Sequence, residues 1–384
     1  MIGFCLAAGA GTRLRPLTRA VPKPLLAPAG RPLVDLAVAA LQAAGATRVV
    51  VNAHHGADEL FARLAGRSGV EVVVEPVLLG TGGGLVNAAR LGLLGDGDDP
   101  VLVTAADHVV DPADLAALAA FLDRAGAAMA VGLIPAAGDP FGLRLEAPAP
   151  DPPSGLWTTP AIPSLGGLSS PTGGPGAGGP DAGAPSITGR TGGRVIRDPD
   201  GAWDSAGMYA IRAGLLCDLG PGYAMLAGRV LGPLLEAGRL VGLPVRGPVA
   251  DAGTLARLLG VSAGLLSGRW PYALPSGRLV REAATWAPPV LRGPVFTGAG
   301  AEVDPAALLA GPVVLDAGCR VGAGAVVTRS VVGPRAMVGP GARVVGSFLG
   351  PGARIPPGAT VTAALVPGPL DRHAGAERGG DPAR

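Results

Sequence analysis

Leu6-Ala-Ala-Gly-Ala-Gly-Thr-Arg-Leu-Arg-Pro-Leu-Thr18, followed closely by Pro22-Lys-Pro24, is the stretch on which the reading of this chain turns. An apolar run over residues 2–7 has the character of a buried strand, and it runs straight into a loop with glycines at 9 and 11. Glycine lets a backbone bend so that its N–H groups face an anion at close range. Arg13 and Lys23 then supply the positive charge that a polyphosphate needs. The spacing fits neither the P-loop nor the G-x-G-x-x-G dinucleotide fingerprint. A lone Gly-x-Gly would equally well be a tight turn. The complete string, with its arginine and its lysine, makes phosphate binding the sharper reading.

Working outward, strand and helix patterns alternate. Strands are expected over 2–7, 48–52, 70–74, 101–105 and 128–133, with helices over 33–44, 57–64, 83–91 and 112–124 between them. This alternation implies an α/β fold built on a mainly parallel sheet covered on both faces, with ligands beyond the carboxyl ends of its strands. Strands resume at 194–197 and 207–211. Helices around 224–236 and 255–266 flank a strand at 240–245. The stretch 147–193, rich in Pro, Gly, Ser, Ala and Thr, reads as a disordered insertion. Residues 269–289 read as a linker, and 367–384 as a disordered tail.

From residue 290 the period changes. Val303, Leu309, Leu315, Val321 and Val327 are six apart; after a five-residue step come Val332, Val338 and Val344, and after another Leu349, Ile355 and Val361. Gly and Pro fill the gaps. A six-residue aliphatic period over 290–366 is the mark of a hexapeptide β-helix, three hexapeptides to a coil.

Composition narrows the function. The chain of 384 residues carries 31 Lys plus Arg, of which Lys23 is the only lysine, and its other disfavoured types are as few: Asn52, Asn87 and Gln42. Where the whole sequence is pressed toward arginine, a residue that stays lysine carries information. A net charge of +2 makes no electrostatic case for a nucleic-acid or membrane-surface partner. No apolar run reaches the roughly 18 residues of a membrane span, and the N-terminus lacks the pattern of a secretory signal. Cys5, Cys217 and Cys319 are odd in number and far apart, as expected of reduced thiols in a cytoplasmic protein.

With these residues in view, the chain resembles the sugar-1-phosphate nucleotidyltransferases. Their hallmark is similar to Gly9–Thr18 and Pro22–Pro24 here, and the resemblance covers residues 1–146 and about 194–268. It implies a Rossmann-like nucleotidyltransferase domain with a mixed, mainly parallel sheet over 1–268 and a left-handed parallel β-helix of hexapeptide repeats behind it. It also implies a nucleotide site formed by Leu6, Ala7, Ala8, Gly9, Gly11, Thr12 and Arg13, together with Glu75, Gly80, Thr81 and Gly82. Arg13 and Lys23 would contact phosphates. Asp107, where the family has Gly-Asp and this chain Ala106-Asp107, and Asp251 of Asp-Ala-Gly-Thr254 would hold Mg²⁺, which takes few protein ligands and keeps phosphate oxygens. Gly142, Ser205 and Gly207 would approach the sugar. Many members use the lysine of a Glu-Lys-Pro for the sugar phosphate; here Val195-Ile-Arg-Asp-Pro199 offers only Arg197, which reads either as that cation or as a surface residue.

The resemblance implies that a nucleoside triphosphate and a sugar 1-phosphate give an NDP-sugar and pyrophosphate. GTP with mannose 1-phosphate is the first expectation, because the appended β-helix is common in that branch. A uridylyltransferase acting on N-acetylmuramate 1-phosphate, or a non-catalytic sensor or scaffold, is the alternative. An acyltransferase on the β-helix would need a histidine among its coils, and the four histidines, His54, His55, His108 and His373, all lie elsewhere. His54 and His55, without Cys or carboxylate at ligand spacing, read as loop structure rather than metal ligands. A homo-oligomer through the β-helix is an expected assembly.

Overall fold

The computed structural model describes residues 1–95, 97–135, 143–145, 192–197, 203–281 and 290–369. Gly142, nearly all of the expected insertion at 147–193 and most of the tail at 367–384 lie outside these described residues. The chain divides into two units: residues 1–11 with 22–274, and residues 12–21 with 275–384.

In chain order the first strands and helices are β1 (Ile2–Leu6), a single turn α1 (Leu17–Ala20), α2 (Leu33–Ala43), β2 (Arg48–Ala53), α3 (Ala57–Leu64), β3 (Val70–Val74), α4 (Gly80–Arg90), β4 (Pro100–Ala105), β5 (His108–Val109) and α5 (Pro112–Ala125). There follow β6 (Met129–Pro135), β7 (Leu143–Leu145), β8 (Gly193–Arg197), β9 (Trp203–Arg212), α6 (Ala213–Cys217), α7 (Gly232–Glu236), β10 (Leu240–Pro244), β11 (Ala250–Asp251) and α8 (Leu255–Ser267). The expected strands and helices of the first 146 residues are all present. The helix expected from 83 begins three residues earlier, at Gly80, and the helix expected over 224–236 is broken into a wide-turned stretch, Ala227–Leu231, and α7.

The main sheet of the first unit runs β3-β2-β1-β4-β9-β6-β10-β8-β7. β1 is parallel to β2 and β4, and β2 to β3. β9 lies antiparallel between β4 and β6, which makes the sheet mixed. Strands β1, β2, β4 and β6 are buried almost throughout and carry Val, Leu and Ala, as a sheet covered on both faces requires. With aromatics at only 3% of the chain, aliphatic side chains fill both layers beside the sheet. Local chemistry sets the helix ends. The Asp111 carboxylate accepts from the Ala113 N–H at the start of α5, Pro112 takes the first position, and Gly126 closes it with φ 58°.

The chain leaves β1 for one side of the sheet (β2, β3) and returns to its other side (β4). This reversal opens a crevice at the carboxyl ends of β1 and β4, the place where open α/β sheets bind ligands. Leu6 pairs with Ala105, and the Ala106 N–H bonds the Leu6 carbonyl at 2.9 Å. The glycine loop and Asp107 therefore leave the sheet side by side.

In the second unit, short strands form three sheets. Two are wholly parallel; the third is parallel apart from Gly277–Val280, which lies antiparallel at its edge, inside the stretch read as linker. Leu308 pairs with Val326, eighteen residues on, whereas Arg343 pairs with Thr360, seventeen on. The five-residue steps in the sequence account for the shorter return. Of the periodic aliphatic residues, Leu309, Leu315, Val321, Val327, Val332, Val338, Val344, Leu349 and Ile355 lie in one buried cluster, and Val303 and Val361 pack against it. Ser330 and Ser347 satisfy one corner: the Ser347 N–H donates to the Ser330 hydroxyl at 3.0 Å, and the Ala364 N–H to the Ser347 hydroxyl at 3.1 Å.

The three thiols differ sharply in environment. Burial pushes Cys319 up to about 12, with help from the nearby Asp316 charge. Burial, and then the charge of Asp107, raises Cys5 further still. Cys217 is exposed. Since the thiolate is the reactive form, a thiol-exchange reagent is expected to titrate one cysteine in the folded chain and all three after denaturation; rapid native labelling of two or more would contradict this packing.

Candidate active site

Lys23 lies on a short turn, Lys23–Leu25, held in place by the flanking prolines, and is only 9% exposed. Its ammonium pairs with Asp107 Oδ2. The other oxygen of Asp107 meets His108 Nδ1 at 3.0 Å. β5 and β11 pair antiparallel with His108 opposite Asp251, and the Ala252 N–H donates to the Asp107 carbonyl at 2.8 Å. That two-stranded ribbon brings the backbones of the two aspartates together, although they are far apart in sequence. Asp251 Oδ2 takes the Arg257 guanidinium at 2.5 Å, whereas its Oδ1 is buried with no hydrogen-bond partner.

Electrostatics bind the cluster. Burial works against a charged Asp107, but the hydrogen bond and charge of His108 and the charge of Lys23 outweigh it and hold the carboxyl well below the usual range. Burial also disfavours charged His108, yet its bond to Asp107 and the charges of Asp107 and Asp251 raise it above an ordinary histidine. The His108 ring lies against Gly207, where a Cβ would come within 2.7 Å of it; Gly207 also has φ +70°, so crowding and backbone both demand glycine.

Around the glycine loop several of the residues expected at the nucleotide also hold the protein together. Glu75 is expected to face a nucleotide, but its side chain is 1% exposed and both oxygens are engaged: Oε1 accepts from Asn52 Nδ2 at 2.7 Å and Oε2 from the Leu79 N–H at 3.1 Å. Asn52 Oδ1 in turn accepts from the Ala7 N–H at 2.7 Å. Asn52 thus ties the start of the loop, through the Ala7 N–H, to the start of α4. The corresponding prediction is that Asn52→Ala, which leaves the Ala7 N–H and one Glu75 oxygen unpaired inside the protein, costs about 1–3 kcal/mol in urea unfolding. An unchanged midpoint would mean that this bridge does not hold the loop.

Thr81 and Gly82, also expected at the nucleotide, are likewise tied into the protein. The Gly82 and Gly83 N–H groups donate to the Ala224 carbonyl at 2.9 and 3.0 Å, and the Thr81 hydroxyl accepts from the Leu226 N–H at 2.9 Å. A Cβ at Gly80 would come within 2.6 Å of the Ala224 oxygen, and one at Gly84 within 2.4 Å of Glu75 Oε1. The run of glycines lets α4 begin flush against the 222–226 strip and the Glu75 side chain. Gly9 contrasts with these: it is exposed, and a Cβ there would meet nothing within 4 Å. Gly11 has φ +61°.

Ser205 and Gly207 sit on β9, next to the cluster through the His108 ring. The Ser205 hydroxyl donates to Tyr209 at 3.0 Å and accepts from the Gly207 N–H at 3.2 Å. Arg197 ends β8 at the far edge of the sheet, paired by its backbone with Leu143. Thr12 and Arg13 belong to the segment that groups with the C-terminal sheets. His54 Nδ1 meets the Glu75 carbonyl at 2.8 Å, in keeping with a loop role. His108 had no role assigned from sequence. Its only signal there was its place beside Asp107, and the β5–β11 ribbon that makes it central was too short to read as a pattern.

Two carboxylates with one unpartnered, buried oxygen suit a cation that takes few protein ligands. Among the described residues no group of three His, Cys, Asp or Glu is placed to cage a metal by itself, and no helix is long and apolar enough to cross a membrane.

Comparison with known proteins adds the following. Residues 2–141 match the Nucleotidyl transferase family. An N-acetylmuramate alpha-1-phosphate uridylyltransferase from Caulobacter vibrioides is 38% identical over 146 residues, 36% of this chain and 53% of that protein. A mannose-1-phosphate guanyltransferase from Aspergillus fumigatus is 37% identical over 116 residues, 29% of this chain and 31% of that protein. The chain thus spans about half the length of the first and under a third of the second. A mannose-1-phosphate guanylyltransferase from Mycobacterium tuberculosis is 29% identical over 336 residues, 84% of this chain and 82% of that protein. A crystal structure of UDP-glucose pyrophosphorylase complexed with UDP-glucose aligns with 69% of this chain and 98% of that one, at 16% identity and a TM-score of 0.49.

Proposed function

We propose that this chain, whose residues 2–141 match the Nucleotidyl transferase family, acts as a sugar-1-phosphate nucleotidyltransferase: it joins a nucleoside triphosphate to a sugar 1-phosphate and releases pyrophosphate and an NDP-sugar. The observation that carries this reading is the Lys23–Asp107–His108 cluster beside the buried, unpartnered Asp251 oxygen, at the carboxyl end of β4. The chemistry needs no side-chain nucleophile. An oxygen of the sugar phosphate attacks the α-phosphorus in line, and catalysis comes from positioning and from offsetting charge.

In this reading the Lys23 ammonium exchanges its contact with Asp107 for phosphate oxygens, and Arg13 neutralises the rest of the polyphosphate. Gly9, needed neither for backbone conformation nor for packing, leaves its peptide open to a close phosphate. Asp107 and Asp251 would hold a divalent metal, magnesium by preference, which when bound neutralises phosphate charge. His108 keeps Asp107 ionised and oriented. Ser205 and Gly207 would form a sugar-side wall, and Arg197 would take the place of the family's lysine.

We favour GTP and mannose 1-phosphate. The relative matched over most of both chains bears the guanylyltransferase name, and the C-terminal sheets suit a left-handed β-helix of hexapeptide repeats, with returns of seventeen or eighteen residues making one three-sided coil. The uridylyltransferase reading rests on the higher identity of the Caulobacter protein. Pyrophosphate release over a panel of triphosphates and sugar 1-phosphates tests both. Fastest release with GTP and mannose 1-phosphate is expected; preference for UTP with N-acetylmuramate 1-phosphate would select the alternative, and silence across the panel would point to a sensor or scaffold.

A further inference from the structure

The C-terminal coils treat their three outer faces differently. On two of them the outward residues include charged and exposed ones: Glu302, Arg320 and Arg354 on one, Arg292 and Arg343 on another. On the third, side chains alternate across each strand. Val295, Val313, Leu315, Val332 and Leu349 point into the coil core, so Phe296, Val314, Val331 and Phe348 point outward. All four are apolar and at most 3% exposed. An outward apolar column stays dry only under a cover.

The stretch Thr12–Val21 groups with these coils, and it is two-faced. Leu14 and Leu17 are fully buried and Thr18 is 2% exposed, whereas Arg13, Arg15 and Arg19 are exposed. Leu17 reaches Gly350, at a corner of the coil next to Phe348. A Cβ on Gly350 would lie 2.8 Å from Leu17 Cδ1 and 3.3 Å from the Gly368 nitrogen and the Val366 oxygen. Gly350 is not held in a left-handed backbone conformation. The matching corner two coils earlier carries Asp316, whose N–H bonds the Val332 carbonyl just as the Gly350 N–H bonds that of Val366. At Gly333, the corner between these two, a Cβ would lie 2.6 Å from the Leu349 oxygen, whereas at Gly350 the closest obstacle is not the coil backbone but Leu17.

We propose that the coils are a positioning element for Arg13. Leu17 seated against Gly350 fixes the arginine-bearing turn, so Leu17 and Gly350 are positioning residues for triphosphate binding. The inference rests on the reading of Arg13 as a phosphate ligand.

The test uses the full chain and four variants: Gly350→Val, Leu17→Ala, the two combined, and Arg13→Ala as the limit. Hydrogen exchange over residues 12–21 reports whether the coils hold the segment, and steady-state kinetics report whether that matters. Gly350→Val is expected to speed exchange there and to raise KM for the triphosphate by about tenfold to a hundredfold, with KM for the sugar phosphate within about twofold. Adding Leu17→Ala, which vacates the space that valine needs, is expected to recover much of both effects. If Gly350→Val folds poorly, Leu17→Ala alone must still show the faster exchange and the raised triphosphate KM. Unchanged exchange at 12–21 in both single variants would overturn the coupling, whatever the activity. Faster exchange with an unchanged triphosphate KM would also overturn it. A wild-type chain that releases no pyrophosphate would instead count against the nucleotide reading, and the exchange result would still decide whether the coils hold the segment.

Discussion

Lys23→Ala is expected to slow nucleotidyl transfer by about 10²–10³-fold, the usual loss when one preorganised charge is removed from a site of developing negative charge. The fold should survive, because Lys23 contributes one contact, to Asp107, in a turn held by its flanking prolines. Lys23→Arg is expected to recover little. The lysine is 9% exposed, so its site accommodates a compact ammonium, and a planar fork that is broader and differently directed would not deliver charge to the same point. The pair is measured by pyrophosphate release beside circular dichroism. Turnover of Lys23→Ala close to that of the unaltered chain would remove this lysine from the mechanism, and full rescue by arginine would mean that only net charge counts.

Asp107→Asn is expected to lower turnover by a comparable 10²–10³-fold, since it removes a carboxylate that orients Lys23 and would help to hold a metal. It has a second signature. The Asp107 carboxyl is held low, so it contributes stability above the ordinary carboxyl range, which is lost as pH falls through its folded value. His108 is raised, so its contribution is present below about 6.5 and is lost as pH rises through its folded value. Asparagine abolishes the first contribution and most of the second, because Asp107 is the chief partner that raises His108. Urea midpoints recorded from about pH 2 to pH 9 should therefore vary less in the variant than in the unaltered chain. Curves of identical shape would show that this cluster does not couple folding to protons.

Much of the fold was legible because hydrophobic period is a local property. The strands at 70–74 and the helix at 57–64 appear with the bounds that alternation and a 3.6-residue period suggest, and the six-residue aliphatic column from 303 to 361 marks side chains that face one buried core. The resemblance implied a mixed sheet, but which strands run antiparallel, β9 between β4 and β6 and β8 beside β10, depends on where the other strands already lie. The site was legible less evenly. A motif names residues that lie near a ligand, but it does not separate those that touch the ligand from those that hold the loop. Glu75, Thr81 and Gly82 show why: their polar groups bond to Asn52, Leu79, Ala224 and Leu226, a structural task that the motif did not reveal.

The alternating sheet and the periodic C-terminal column are written into the sequence position by position, and Lys23 stands out there as the one lysine. Only the tertiary structure decided what Lys23 meets. Its contact with Asp107 spans 84 positions, the β5–β11 ribbon brings Asp251 in from a further 144 residues along, and Asn52 reaches both Ala7 and Glu75. Such pairings depend on how strands are ordered in the sheet, and no local period encodes that order.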